Sequence, residues 1–304
     1  MGLISLLTFL GIFPAAYLIS AAASFVSGHA RPYLYAGGFH PLVRYLHATK
    51  AKPAWALVTN ANGPIGRALC FELAERGFNV VLFACAAAAT GPAGGKKIAE
   101  EELGKIREEL LKVRPENKYR VVVADAQEQE QKKAQKNDDA KSAASADFAA
   151  EVVRSLEDVN LTVVVDNRHD ANGVETPRAG EAEARWLALL EPVLKRNVPA
   201  LVVGVYRKPT VFLLKDGDID SVSYVLGDMA LRTEDMSLAQ PTPQAMAHSI
   251  LVHAASDGSR GITLVHPYWF HDVLRVMRYG REKLRLLVNW GVAQMRGFRG
   301  ANPE

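Results

Sequence analysis

The chain has 304 residues, 49% of them hydrophobic, which is enough for one sizeable α/β domain plus attachments without requiring two. Its net charge of +3 is small for a nucleic-acid binder, and no zinc-finger spacing, basic stripe with interleaved aromatics or RNA-binding signature occurs, so nucleic acid is excluded as a partner. Cys70 and Cys85 are the only cysteines, which rules out a disulfide framework, and the histidines show no metal-ligand spacing.

Residues 3–26 carry no charge, and at about 1.5 Å per residue such a run spans a bilayer core of about 30 Å. The expected element is a single transmembrane anchor over residues 1–28, kinked or split at Pro14. A cleaved signal peptide is the competing reading, favoured by the small residues Ala21 to Ser24 but lacking a basic leading region. The first charges that follow, Arg31, Arg44, Lys50 and Lys52, are all basic, which places the bulk of the protein in the cytosol. Residues 29–54 form a connector whose Tyr33, Tyr35, Phe39 and Tyr45, with Trp55 beyond it, suit either the headgroup zone or a loop packed on the domain.

Residues 55–83 read as a strand, a glycine-bearing turn, a helix and a second strand. Ala56, Leu57 and Val58 form an apolar run, Ile65, Leu69, Leu73 and Ala74 fall near helical spacing, Gly77-Phe78 ends the helix, and Val80 to Phe83 is apolar again. This βαβ unit places a helix N-terminus at Pro64 or Ile65, where backbone N–H groups hold a phosphate. The turn, Thr59-Asn60-Ala61-Asn62-Gly63-Pro64-Ile65-Gly66, resembles the T-G-x-x-x-G-I-G motif of the short-chain dehydrogenase/reductase superfamily. The flanking words W-A-L-V-T and R-G-F-N-V-V-L resemble one branch, the membrane-bound very-long-chain 3-oxoacyl-CoA reductases and 17β-hydroxysteroid dehydrogenases. The resemblance implies a Rossmann-like doubly wound parallel sheet over residues 55–267. It also implies an NADP or NAD site formed by Thr59, Asn60, Gly63, Ile65 and Gly66. Asn60 and Pro64 stand where the first two glycines belong, and Gly63 is expected to restore a permissive backbone angle beside them.

In that branch a basic residue after the second strand clamps the 2′-phosphate of NADP. Here Ala84, Cys85 and Ala86 stand there, with Lys96 and Lys97 as distant substitutes. Residues 90–97 imitate a P-loop, but Thr90 and Lys97 replace its required glycine and Ser/Thr, so that site is rejected. Residues 97–113 are a charged amphipathic helix and 119–124 a third strand. Asp125 at the end of that strand matches the family's adenine-contacting aspartate, or is an ordinary turn residue. Residues 126–147 are too polar to bury and read as a mobile insertion leading into a helix over 148–156.

Residues 161–165 form the fourth strand. The family's N-N-x-G follows it, and this chain has Asp166-Asn167-Arg168-His169, keeping only Asn167. Either no cofactor approaches the backbone there, or Arg168 and His169 make a new polar site. A helix over 185–196 and a fifth strand over 199–205 come next. The family then requires a serine and a Tyr-x-x-x-Lys helix, because residues four apart share a face and the lysine tunes the tyrosine that delivers the proton. Neither is present at this place; Tyr206 is the one candidate acid, with Lys208 or Lys215 as its partner. The sole Tyr-x-x-x-Lys, Tyr279 to Lys283, follows the last strand and does not reach the sheet's C-terminal edge. A sixth strand over 221–226, a helix over 245–255 entered through a Thr242 cap and Pro243, and a last strand over 261–267 complete the resemblance. Residues 268–304 carry a basic, amphipathic tail in which Phe270, Val273, Leu274, Met277, Leu284 and Leu287 recur at helical spacing. That tail suits anionic headgroups, a protein partner or its own domain.

The joint loss of two glycines, the 2′-phosphate clamp, the serine and the Tyr–Lys pair points to a membrane-anchored, catalytically inactive member of this superfamily. Its expected role is binding or scaffolding, with lipid metabolism as the expected setting and no cofactor or weak NADP/NAD. Membrane lipid and a protein partner or second copy are its expected partners. The resemblance implies the endoplasmic reticulum, with the mitochondrial outer membrane as the alternative. Two other readings stand beside it: an active NADPH-dependent reductase of long-chain 3-oxoacyl-CoA or steroid substrates with unconventional residues, and a lipid carrier.

Overall fold

The computed structural model describes residues 19–20, 22–23, 41–47, 52–86, 94–125, 153–167, 190–206, 219–226, 240–257, 268 and 270–271. Six strands form one parallel sheet: β1 (Ala54–Val58), β2 (Asn79–Ala86), β3 (Tyr119–Asp125), β4 (Asn160–Asn167), β5 (Ala200–Tyr206) and β6 (Ile219–Val225). Their spatial order is β3-β2-β1-β4-β5-β6, the doubly wound order, which reverses between β1 and β4 and opens a crevice at the C-terminal ends of the strands. Every residue of β1, β4 and β5 is buried. That is why these strands read as continuous apolar runs rather than as an alternation.

Helices α1 (Pro64–Glu75), α2 (Gly94–Val113) and α3 (Pro243–Asp257) cover one face. Leu69, Leu73, Leu103, Leu110 and Ile250 pack there on Val58, Val163 and Val203. On the opposite face Leu156, Leu190 and Leu194 pack on Leu57, Val164 and Val202. Each such fully buried side chain contributes roughly 1.5–3 kcal/mol. The register between β1 and β4 shifts at Trp55/Ala56, where Trp55 faces Leu161 and Ala56 faces Val163. Thr162 is the extra residue of this bulge, and its consequence is a change of face: Leu161 and Val164 share one side, Val163 and Val165 the other.

The helix ends follow the sequence. The Gly77 N–H donates to Ala74 O at 3.0 Å and the Phe78 N–H to Leu73 O at 3.1 Å, with Gly77 at φ +90°, a Schellman closure that the glycine permits. Thr242 caps α3, accepting the Ala245 N–H on Oγ1 at 3.1 Å. Cys70 is fully buried in α1, and burial pushes its thiol above the ordinary range. The helical stretch at 190–195 falls within the one expected over 185–196.

Of the two readings of the connector, its described residues follow the one packed on the domain. Residues Pro41–Tyr45 form a 3-10 helix against the domain, in which Leu42 and Tyr45 are fully buried. The Tyr45 hydroxyl donates to Asp220 at 2.6 Å, and burial, then that carboxylate, raise its pKa. Tyr45 and Trp55 are therefore buried, because each finds apolar surface on the sheet. Among the described residues no helix is long and apolar enough to cross a membrane. Nearly all of the expected anchor and of the tail, and the whole of the last strand over 261–267, the insertion and the Tyr279–Lys283 pair, lie outside the described residues.

Where α1 meets α3, His248 Nδ1 lies 3.3 Å from Arg76 Nη2 and 3.4 Å from Glu72 Oε1. Burial lowers the His248 pKa, Arg76 lowers it further and Glu75 opposes. The unfolded chain, with an ordinary imidazole near pH 6.5, therefore takes up this proton before the folded chain does. The group's contribution to stability is complete above that pH and is lost as the pH falls through it. Melting temperatures from pH 7.5 to 5.5 are expected to fall less steeply in His248→Asn than in the parent, and equal slopes would refute the assignment.

Candidate functional site

The crevice is built on the turn after β1. Its ends are stitched to both neighbouring strands, the Thr59 N–H donating to Val165 O at 3.0 Å and the Ala61 N–H to Phe83 O at 2.9 Å. Asn60 takes the left-handed conformation, φ 47°, at the position of the motif's first glycine. Asparagine is one of the few side chains that tolerate it. This overturns the role expected of Gly63, which sits at φ −75°, ψ 160°, in extended backbone open to any residue, and is the N-cap of α1. Gly66 keeps the role of the third glycine: a Cβ built there would lie 2.1 Å from Asn60 O. Ile65 is fully buried in the core, so only its backbone faces the turn.

The first intrahelical bond of α1 runs from the Arg67 N–H to Gly63 O at 2.8 Å. The amides ahead of it belong to Ile65 and Gly66, and Pro64 has none. A pyrophosphate at this helix end would meet two backbone donors where a glycine in place of Pro64 would supply a third.

Above the turn, the polar side chains of five residues gather. Thr59 Oγ1 lies 3.2 Å from Asp166 Oδ1 and 3.0 Å from Asn167 O, sharing one proton between two acceptors. Asn60 Nδ2 donates to Asn167 O at 2.9 Å, and Asn167 Nδ2 returns to Asn60 O at 3.4 Å. The Tyr206 hydroxyl donates to Asp166 Oδ2 at 3.3 Å. Its ring folds back along β5 over Gly204, where a Cβ would lie 2.5 Å from ring carbon Cε2. Tyr206 is fully buried and Asp166 is 7% exposed.

The structure thus brings together Thr59, Asn60, Asn167 and Tyr206. Asp125 ends β3, two strands from β1, and its backbone pairs with Ala86. Lys96 and Lys97 are exposed in the first turn of α2. Sequence reasoning kept Asn167 and passed over its neighbour Asp166, the residue that joins Thr59 to Tyr206. The signal was a carboxylate at the end of a wholly apolar central strand, where burial is costly unless the group is hydrogen-bonded. Chemically, the cluster holds a phenol whose hydroxyl is turned to a carboxylate. A proton donor for a carbonyl substrate has to face that substrate instead.

Strand order and crevice define a doubly wound α/β fold of the dinucleotide-binding type. No protein-family model matches the chain, and no curated protein matches it in sequence. Among solved structures it is similar to an alcohol dehydrogenase from the archaeon Thermococcus sibiricus complexed with 5-hydroxy-NADP, at 14% identity and TM-score 0.45, over 71% of this chain and 97% of the other. It is also similar to a 3-ketoacyl-ACP reductase from Sinorhizobium meliloti, at 15% identity and TM-score 0.45, over 71% and 98%. A short-chain oxidoreductase from Pseudomonas aeruginosa with an atypical catalytic centre gives 16% identity and TM-score 0.44, over 70% and 96%. The activities named are those proteins' own.

Proposed function

We propose that the chain is a membrane-anchored short-chain dehydrogenase/reductase-like protein that works by binding, as a scaffold in lipid metabolism, and does not turn a substrate over. The observation that carries this reading is the state of Tyr206, the one candidate acid, fully buried with its hydroxyl on Asp166. The missing serine and Tyr-x-x-x-Lys helix support it, since losing the proton donor alone removes roughly 10²- to 10⁴-fold of rate. Pro64 supports weak or absent NADP/NAD binding by withdrawing a phosphate donor. The basic residues after the expected anchor favour a cytosolic domain, and the resemblance to the membrane-bound branch favours the endoplasmic reticulum, beside membrane lipid and a protein partner or second copy.

The test is titration of the full chain in detergent with NADPH and NADH, followed by melting temperature. No saturable shift up to millimolar nucleotide is expected. Stabilisation reaching about 2.7 kcal/mol at a hundredfold excess over Kd would sink the reading and favour an active reductase. One observation stands on that side: the left-handed Asn60 and the close Gly66 contact preserve the shape of a nucleotide turn. In an active reductase Tyr206→Phe would abolish NADPH-dependent reduction of a 3-oxoacyl-CoA.

A further inference from the structure

The N-terminal edge of the sheet, opposite the crevice, holds a second site. Pro53 just ahead of β1 and Trp55 within it, Lys118 just ahead of β3 and Arg120 within it, Asp158 ahead of β4 and Arg107 of α2 line a cavity of about 560 Å³. Arg120 is already engaged: it donates to Asp158 at 2.7 and 2.6 Å, and its guanidinium lies 5.7 Å from the centroid of the Trp55 ring. Arg107 and Lys118 are exposed, and neither makes an ion pair among the described residues. Three cations against one carboxylate leave the cavity positive, over an apolar wall made by Trp55. That combination fits a phosphate joined to an apolar body.

The same edge receives the chain from the N-terminal segment. His47 Nε2 lies 2.9 Å from Pro199 O, just ahead of β5, and Asn160 at the start of β4 donates to His47 O at 3.1 Å. Tyr45 reaches Asp220 at the start of β6. We propose that this cavity takes the phosphate headgroup of an anionic phospholipid, so that the N-terminal edge of the sheet lies on the membrane holding the anchor. The anchor belongs to the function proposed above, and the headgroup site rests on it. Anionic headgroups attract exposed basic side chains near a membrane surface, whereas a zwitterionic headgroup offers no net charge to them.

The test titrates the full chain in a non-ionic detergent with dihexanoyl phosphatidic acid, dihexanoyl phosphatidylcholine or inorganic phosphate, followed by melting temperature. Saturable stabilisation by the phosphatidic acid and none by phosphatidylcholine is expected. The double variant R107Q/K118Q, melting like the parent without lipid, is expected to bind the phosphatidic acid roughly 30-fold more weakly. Equal saturation by inorganic phosphate, equal binding by the double variant or no saturation at all overturns the proposal. Alkaline carbonate extraction of cell membranes reads the anchor separately. Release of a chain that still prefers the anionic lipid overturns the anchor and supports the cavity, and retention without that preference overturns the cavity alone.

Discussion

Replacing Gly66 by alanine is expected to destabilise the protein by about 3 kcal/mol, the upper end of the range for overpacking a filled site. The new Cβ would fall 2.1 Å from Asn60 O, 2.8 Å from Asn60 C and 2.9 Å from Ala61 Cα, all backbone atoms. A long side chain would swing away, but this backbone is held: Asn60 O accepts the Gly63 N–H at 3.0 Å, and the turn's two ends are bonded to β2 and β4. Relief therefore requires the first turn of α1 to move off the sheet. Gly104 supplies the control within α2, where an added Cβ meets nothing within 4 Å. Gly104→Ala is expected to gain about 1 kcal/mol from helix propensity. Thermal melts should thus shift in opposite directions, by roughly 2–4 °C per kcal/mol for a domain of this size. A Gly66→Ala variant that melts with the parent would mean that the turn is not packed as described.

The features legible in the sequence are those fixed by local sterics. Gly66, Gly77 and the Thr242 cap act within a few residues of themselves, so residue type at the right spacing discloses them. Asn60 was harder, because the sequence marks it only as a lost glycine, while its φ of 47° shows that asparagine fills the same conformational role. Gly63 misled for the converse reason: a glycine beside a damaged motif invites a positive φ that the N-cap does not use. Tyr45 was ambiguous because its burial is decided by Asp220, 175 residues away. Asp166 stayed hidden because a uniformly apolar strand carries no alternation that marks which face each residue takes. Its cross-strand partner is Gly204, which shares a face with Tyr206 two residues on, and that pairing brings the carboxylate to the phenol.

Tyr206→Ala is expected to cost about 3–5 kcal/mol, the range for emptying a buried aromatic site. Tyr206→Phe, which keeps the ring and removes one bond to a carboxylate, is expected to cost about 1.5–3 kcal/mol. The two separate packing from hydrogen bonding. Gly204 then tests whether the ring lies where the structure puts it. A Cβ on Gly204 would sit 2.5 Å from Cε2 and 2.6 Å from both Cζ and the hydroxyl of Tyr206. Gly204→Ala in the parent must expel the ring and with it the bond to Asp166, so a loss of about 2 kcal/mol is expected. In the Tyr206→Ala background the added methyl enters the space the ring has left, and Gly204→Ala should be close to neutral. The double-mutant cycle is thus expected to show a coupling of about 1–3 kcal/mol, as for residues in direct contact. Strictly additive losses would place the ring elsewhere and free Tyr206 to act as an acid, which would remove the observation on which the non-catalytic reading stands.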